Sequence, residues 1–264
     1  MDNLLSSTIT IVEEAGRAIM SYYEDSFSVT EKSPDNPVTD ADLAADTLLK
    51  HRLLAIVPEA GWLSEETADT FERLDKQFCW VVDPLDGTKE FVLGIPEFTV
   101  SVALIKDGEP VLAVIYNPAT DELFHASRGK GSEYKGARSY ASQRENLVGA
   151  KIEASRSERL RGEFEPFEPV VNVQTMGSIA YKLARVSAGL VDGTWSRGPK
   201  NEWDICAGVL LVEEAGGRCV DLDDNPISFN RAHPKVNGII ADNSLIHDEV
   251  IAALAPHRST ARVD

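Results

Sequence analysis

Residues 79–88, which read CWVVDPLDGT, determine the fold prediction. Cys79–Val82 is a continuous apolar run of strand length that ends abruptly in Asp83, which is typical of a buried strand delivering an acid at its end. Asp86 follows three residues later, and a proline and a glycine constrain the turn. This geometry brings two carboxylates and the Leu85 carbonyl together, and hard divalent cations prefer oxygen ligands, whereas a structural turn needs only one Asx side chain. The stretch therefore predicts a metal site at a strand end.

Three other short segments, PVTDAD (37–42), SEE (64–66) and WD (203–204), also place acids beside turn or helix-start signals. Each has a structural explanation: a capping box (Thr39 with Asp42), a solvated pair (Glu65 and Glu66) or a helix N-cap (Asp204).

The amino-acid composition limits which classes of molecule the protein can bind. The 264 residues include 43 Asp and Glu against 26 Lys and Arg, giving a formal net charge of −17. We expect no nucleic-acid polymer as partner, because such binders need a basic surface to displace counterions from phosphates. No apolar run approaches the ~18 residues of a membrane span and no export signal is apparent, so we expect a cytoplasmic protein without membrane contact. Cysteines and histidines lack zinc-site spacing, which leaves oxygen ligands for any metal.

The periodicity along the chain predicts two halves. Two amphipathic helices, a buried strand and a series of hairpins suggest an α+β half at residues 1–145 that carries most metal ligands. Strands alternating with helices suggest an α/β half at residues 146–264, which contains Asp204. The polar segment at residues 31–37, EKSPDNP, predicts a loop between the first two helices.

These motifs resemble, in order and separation, the signatures of the inositol monophosphatase superfamily, whose members are magnesium-dependent and often lithium-sensitive phosphatases. The resemblance runs through WVVDPLDGTKEF (80–91) and WDICAGVLLVEEAGG (203–217), with PVTDAD and SEE between the first helix and the strand. It implies a layered α+β or α/β sandwich of alternating helix and sheet layers, like that of sugar phosphatases, with the metal site between the halves. Lys89-Glu90-Phe91 resembles the 3'(2'),5'-bisphosphate nucleotidase (CysQ-like) branch, whereas residues 177–182, GSIAYK, are closer to the inositol phosphatase pattern.

The resemblance also implies roles for individual residues. One Mg²⁺ would be held by Glu65, Asp83 and the Leu85 carbonyl, and a second by Asp83, Asp86 and Asp204. The catalytic residues that orient and partly deprotonate the attacking water, around a third Mg²⁺ where one binds, would be Asp42 and Thr88, supported by Glu66.

Substrate contacts follow from the same resemblance. Backbone N–H groups of Gly87 and Thr88 would bind the phosphate. The rest of the substrate would lie near Gly177, Ser178 and the loop that carries Arg197 and Lys200. Where inositol phosphatases tend to have a carboxylate seven residues before the WD acid, this chain has Arg197, which suits a second phosphate. Arg197 and Lys200 are otherwise two solvated loop cations.

The leading hypothesis is a Mg²⁺-dependent phosphomonoesterase that acts on a small phosphorylated metabolite. The preferred candidate substrate is 3'-phosphoadenosine 5'-phosphate. Inositol 1-phosphate or another sugar or polyol phosphate is the alternative substrate. A non-enzymatic divalent-cation-binding module is a distant alternative, since Asp221-x-Asp223-x-Asn225 has only part of an EF-hand loop and has Pro226 where that loop needs glycine. We expect a monomer or a homodimer.

Overall fold

The structure is a computed structural model that describes residues 2–23, 28–33 and 36–257. The helices of these residues are α1 (Asp2–Tyr23), α2 (Asp40–Ile56), α3 (Thr88–Val92), α4 (Arg156–Leu160), α5 (Ile179–Ser187), α6 (Glu202–Glu214) and α7 (His247–Leu254), with 3-10 helices at Glu72–Asp75 and Ala255–His257. The strands are β1 (Val29–Ser33), β2 (Asn36–Thr39), β3 (Gly61–Ser64), β4 (Phe78–Asp86), β5 (Thr99–Lys106), β6 (Glu109–Asn117), β7 (Glu122–Ser127), β8 (Gly131–Tyr134), β9 (Ala137–Ser139), β10 (Lys151–Ala154), β11 (Asn172–Thr175), β12 (Gly193–Ser196), β13 (Lys200–Asn201), β14 (Arg218–Val220), β15 (Lys235–Val236) and β16 (Ile239–Asp242).

A seven-stranded sheet runs in chain order from β3 to β9. β3 and β4 are parallel, and each later strand is antiparallel to its predecessor. Successive side chains of a strand point to opposite faces, so Trp80 and Val82 pack against α1 and α2 while Val81 packs on the other side. Both faces of this sheet are therefore covered.

A five-stranded sheet in the order β11-β10-β12-β16-β14 forms from the later part of the chain. β10 is parallel to β11 and β12, and β16 is antiparallel to its neighbours β12 and β14. Helix α7 and the segment around Phe164 and Phe167 cover its outer face by packing on Ile152, Trp195 and Ile240.

Helices α5 and α6 lie between the two sheets. Their apolar residues share one core with Val81 and Ile115 of the first sheet and with Ile239 and Ala241 of the second. Helix α6 is apolar on nearly all sides, as expected for a helix buried between two layers. The order of layers is thus helices, sheet, helices, sheet, helices, which confirms the layered sandwich expected from the sequence.

The structure differs from the sequence prediction at residues 31–37. Much of this segment belongs to an antiparallel pair, β1 and β2, in which Val29 lies opposite Thr39, while residues 34–35 fall outside the described part of the chain. The division of the chain at residues 145 and 146 falls between β9 and β10 and stays a prediction. No helix of the described residues is long and apolar enough to cross a membrane.

Candidate active site

Acidic side chains converge where β3 and β4 end. The pairing of β4 with β5 shifts register between Asp83 and Asp86, and such an irregularity re-aims the side chains beside it. Glu65 directly follows β3, and its backbone N–H donates to the Val82 carbonyl at 3.3 Å. Because β3 and β4 are parallel, Glu65 and Asp83 reach the same edge of the sheet.

The third acid of this cluster comes from the helical layer. Asp204 lies in the first turn of α6, and the backbone N–H of Asn201 donates to its Oδ2 at 3.0 Å. One carboxylate oxygen from each of Glu65, Asp83 and Asp204 can be chosen so that all lie within 4.8 Å of one another. Residues 139 positions apart in the sequence thus meet at one point.

Burial and mutual repulsion raise the pKa of Asp83, Asp204 and the neighbouring Asp86. The pKa of Asp83 is raised well above its usual range by burial and then by the charges of Glu65, Asp86 and Asp204. Burial, followed by the charges of Asp86 and Glu65, raises the pKa of Asp204 to about 7. Burial raises the pKa of Asp86 to about 6, against the lowering effect of its hydrogen bonds. The ionised forms of these carboxyl groups are therefore less stable here than they are in water.

The donor set fits a hard divalent cation. Carboxylates held this close together, with Asp83 buried and Glu65 and Asp204 half-buried, are stabilised when a cation with a preference for oxygen ligands lies among them. Leu85, whose carbonyl belongs to the same turn, lines the same cavity. The side chains would suit Mg²⁺ and offer no sulfur or imidazole for a softer metal.

Asp86 connects the cluster to α5. Its Oδ2 accepts hydrogen bonds from the Ser178 hydroxyl and the Ala180 backbone N–H, both at 2.6 Å. Ser178 caps α5, because its hydroxyl also accepts from the backbone N–H of Tyr181 at 3.0 Å. The position of Asp86 therefore depends on the start of α5 as well as on β4.

Thr88 joins the cluster to Asp42. Its hydroxyl lies 3.0 Å from Asp42 Oδ1 and 3.0 Å from the Leu85 carbonyl oxygen. The preceding Gly87 has φ +99°, and a Cβ there would lie 2.8 Å from the carbonyl oxygen of Glu97. Only glycine fits both the conformation and the space, and this tight turn presents Thr88 to the site.

The acids open into a cavity of about 540 Å³. Nine of the predicted site residues line it: Glu65, Asp83, Leu85, Asp86, Gly87, Thr88, Ser178, Lys200 and Asp204.

Four other predicted site residues lie outside the cavity lining. Asp42 lies behind Thr88, and the Gly177 N–H donates to Glu97 Oε2 at 2.7 Å. The backbone N–H of Glu66 lies 3.4 Å from Ser64 Oγ. Arg197 donates from Nη1 to the His257 carbonyl at 2.9 Å, so its guanidinium is held by the end of the described chain.

Sequence reasoning missed part of the cavity wall. Lys182 lines the cavity and is 2% exposed, with its Nζ 3.5 Å from Glu158 Oε2. Lys182 lies one helical turn after Ser178, so its spacing could have placed both on one face of α5. Ser155 also lines the cavity, and Ser155 with Glu158 forms a capping box for α4 whose S-x-x-E pattern is readable in the sequence.

Comparisons with known proteins agree with this geometry. The sequence matches the model of the inositol monophosphatase family over residues 1–259. It is 35% identical over 261 residues to an inositol-1-monophosphatase of Mesorhizobium japonicum, covering 95% of this chain and 96% of that protein. It is 32% identical over 247 residues to the 3'(2'),5'-bisphosphate nucleotidase CysQ of Aggregatibacter actinomycetemcomitans, covering 89% and 90%. The crystal structure of the extragenic suppressor protein suhB of Bartonella henselae superimposes with a TM-score of 0.87 at 33% identity, covering 97% of this chain and 99% of that chain.

Proposed function

Because the chain belongs to the inositol monophosphatase family, whose members are phosphatases that hydrolyse phosphate monoesters, we propose that its substrate is a small metabolite bearing two phosphate groups. The leading candidate is 3'-phosphoadenosine 5'-phosphate. The family depends on Mg²⁺ in general, and two or three ions per site is our proposal for this chain. We further propose that it works in the cytoplasm, as a monomer or a homodimer.

Glu65, Asp83 and the Leu85 carbonyl would hold one Mg²⁺, and Asp83, Asp86 and Asp204 a second. Bound there, the metal supplies charge neutralisation for the carboxylates and for the phosphoryl group. The proximity of the carboxylate oxygens of Glu65, Asp83 and Asp204 supports this assignment, and so do the raised pKa values of Asp83 and Asp204.

Thr88 and Asp42 would orient the attacking water. Thr88 lines the cavity and its hydroxyl donates to Asp42 Oδ1 at 3.0 Å, so the Thr88 oxygen could accept the proton of the water while the Thr88 hydroxyl proton passes to the Asp42 carboxylate. Glu66 would support these groups from the end of β3. The Gly87 and Thr88 N–H groups would contact the phosphate, and Gly177 would position Ser178 beside it.

The single observation that carries the bisphosphate proposal is a set of three lysines in the cavity wall. Lys89, Lys182 and Lys200 line the same cavity as the acids. The acids account for one phosphate through metal, and the ammonium groups of Lys89 and Lys200 suit a second anionic group on the same molecule, while that of Lys182 is paired with Glu158. Arg197, which the sequence offered for this contact, would instead act from outside the cavity by holding its loop.

Inositol 1-phosphate is the second candidate substrate. Two observations favour it: the relative of Mesorhizobium japonicum is named for that activity, and Arg197 bonds to His257 instead of lining the cavity. With a monophosphate as substrate, Lys89 and Lys200 would contact solvent instead of a second phosphate.

Phosphate release from matched substrates tests the proposal. We expect kcat/KM for 3'-phosphoadenosine 5'-phosphate to exceed that for adenosine 3'-phosphate by at least about tenfold, because the two differ only in the second phosphate. Inositol 1-phosphate, fructose 1,6-bisphosphate and histidinol phosphate complete the panel. Each is assayed with Mg²⁺, with chelator and with added Li⁺.

Lys200→Met should reduce the preference for the bisphosphate and leave the rate with adenosine 3'-phosphate nearly unchanged. Lys130→Met, at an exposed turn between β7 and β8, is the matched control and should retain the preference. Equal kcat/KM for the two adenosine nucleotides, or faster turnover of inositol 1-phosphate, would overturn the bisphosphate assignment. Metal-independent turnover would overturn the assigned ligands.

A further inference from the structure

A buried arginine links the segment after Glu65 to a distant loop. Arg73 belongs to the 3-10 helix Glu72–Asp75, and its side chain is 1% exposed. Its Nη1 donates to Asn230 Oδ1 at 2.7 Å and its Nη2 donates to the Arg231 carbonyl at 2.9 Å. Asn230 returns a bond from Nδ2 to the Arg73 carbonyl at 3.3 Å. Two segments 157 residues apart are thus held by three hydrogen bonds.

The same loop also binds the start of α6. Glu202, the first residue of α6, is 0% exposed. Its carboxylate accepts from the backbone N–H groups of Asn230 at 2.6 Å and Arg231 at 3.2 Å, and from Arg231 Nε at 3.1 Å. Its own N–H donates to the Pro234 carbonyl at 2.9 Å. We call the chain of contacts through Arg73, Asn230, Arg231 and Glu202 the Arg73–Glu202 bridge.

The two ends of the bridge contact the two elements that carry Glu65 and Asp204. At one end, a Cβ on Gly61 would lie 2.6 Å from the Cα of Arg73, so the backbone of the 3-10 helix packs directly on the first residue of β3, the strand that leads into Glu65. At the other end, Glu202 precedes Asp204 by two residues. Glu65 and Asp204 come from different elements, and their charges repel one another at the separation observed here.

We propose that the Arg73–Glu202 bridge positions Glu65 and Asp204 for metal binding by holding β3 and the start of α6 at a fixed separation. The bridge does not touch the reacting atoms, so its members are positioning residues. Its loss allows the two acids to move apart when no metal lies between them. The free energy of binding Mg²⁺ must then include the cost of bringing them back, so the affinity falls while the chemical step at saturating Mg²⁺ is preserved.

This inference rests on the proposed function, because it assumes that the acids bind Mg²⁺. The test variant is Asn230→Gly. Asn230 has φ +60°, which glycine adopts without strain, so the substitution removes the side-chain bonds to Arg73 and keeps the backbone N–H that binds Glu202. Arg231→Met is the second variant. It removes the ion pair with Glu202 at a side chain that is 40% exposed, so it is expected to fold.

Isothermal titration calorimetry of the metal-stripped full chain with Mg²⁺ gives the decisive measurement. We expect the Kd for Mg²⁺ to rise about tenfold in each variant, as for other residues that orient metal ligands. The kcat at saturating Mg²⁺ should stay within about twofold of the unmodified protein, while the Mg²⁺ concentration giving half-maximal rate rises with Kd. If the bridge had a purely structural role, its loss would lower the melting temperature and leave the Kd for Mg²⁺ unchanged.

Asn243→Ala is the control for general destabilisation. Asn243 is 3% exposed, and its Nδ2 donates to Ser142 Oγ at 2.9 Å and to the Arg144 carbonyl at 2.8 Å, neither of which belongs to the Arg73–Glu202 bridge. It should lower the melting temperature and leave the Kd for Mg²⁺ unchanged. Unchanged Mg²⁺ affinity in both folded bridge variants would overturn the positioning role. An unmodified chain that binds no Mg²⁺ would overturn the proposed metal site itself, which is a different result.

Discussion

Asp42 belongs both to a helix cap and to the candidate catalytic site, because its two carboxylate oxygens have different partners. Oδ2 accepts from the Thr39 backbone N–H at 2.8 Å and from the Thr39 hydroxyl at 2.6 Å. Oδ1 lies 3.0 Å from the Thr88 hydroxyl. The two explanations available from the sequence, capping and catalysis, are therefore compatible on one side chain.

Asp86→Asn separates the catalytic contribution of an acid from its contribution to stability. We expect kcat to fall by orders of magnitude, because a neutral amide is a poor Mg²⁺ ligand. The melting temperature of the metal-free variant should rise, because the amide oxygen still accepts from Ser178 and Ala180 while repulsion from Glu65 is removed. Phosphate release and differential scanning calorimetry measure the two effects.

Asp192→Asn is the matched control. Asp192 is also buried, but it accepts from Ser142, Arg144 and the Lys151 N–H, away from the cavity acids. Losing its charge should lower stability and keep activity within about twofold. Full activity of Asp86→Asn would show that the metal ligands are wrongly assigned.

The sequence predicts the positions of the acidic residues at the site better than those of the lysines and arginines. Asp83 and Asp86 lie in a turn whose local sequence constrains their geometry, so a short motif is sufficient. Arg197 bonds to His257, 60 residues later, and no local pattern indicates that contact. The side chain of Lys182 reaches the cavity because α5 begins directly after Ser178, and the sequence pattern does not fix where that helix starts.

At the scale of elements, the start of α2 is the clearest case of a predicted feature with a functional partner. Thr39 caps α2 with the reciprocal bonds of a capping box. We expect Thr39→Val to lower the free energy of unfolding by about 1 kcal/mol and to lower kcat as well, because Asp42 loses the hydroxyl that orients it. Urea unfolding and phosphate release measure these changes.

Thr39→Ser keeps the hydroxyl and is the matched control, so both stability and kcat should stay near those of the unmodified protein. A Thr39→Val variant with reduced stability and unchanged kcat would show that the cap does not position Asp42 for catalysis.

The segment at residues 31–37 shows why some elements escape prediction. Its prolines and charges favour a loop, yet β1 and β2 pair across it, with Thr30 opposite Val38. Pairing between two short strands depends on the partner and not on the propensity of either segment, and strand propensity depends strongly on such context. The S-x-x-E pattern at Ser155, in contrast, is readable in the sequence and is sufficient to predict the start of α4.

At the scale of the whole molecule, alternation of strand and helix patterns predicts an α/β architecture for residues 146–264, because amphipathic elements must bury their apolar faces against one another. The layered sandwich itself is what the family resemblance implies. The number of layers was not predictable in the same way. Helix α6 is apolar on both sides, but periodicity alone does not say which two sheets it separates.

The dependence of stability on pH should differ with and without Mg²⁺. The pKa values of about 6 for Asp86 and about 7 for Asp204 lie above those of the unfolded chain, so the native state retains protons that the unfolded state has released. The contribution of these groups to stability is therefore greatest at acidic pH and is lost as the pH rises through about 6 and 7. Mg²⁺ competes with these protons, so its stabilising effect should grow over the same interval.

Melting temperatures between pH ~5 and ~8, with and without Mg²⁺, measure this effect. NaCl at matched ionic strength is the control for screening. Other titrating groups contribute equally to both series, so the difference isolates the cluster. A Mg²⁺-induced shift that is constant over this pH range would contradict the assignment of these carboxylates as ligands.

The helical layer shared by the two sheets also has a consequence for synthesis on the ribosome. All strands of the first sheet have been translated by Ser139, but the helices that cover one of its faces, α5 and α6, end only at Ser187 and Glu214. The nascent chain therefore presents a broad apolar surface, including Val81, until translation has passed α6. Exposed apolar surface of this kind is prone to aggregation. We therefore expect a nascent chain of this fold to need a chaperone most between the translation of Ser139 and that of Glu214. The first sheet can complete its core only when helices α5 and α6 have been synthesised.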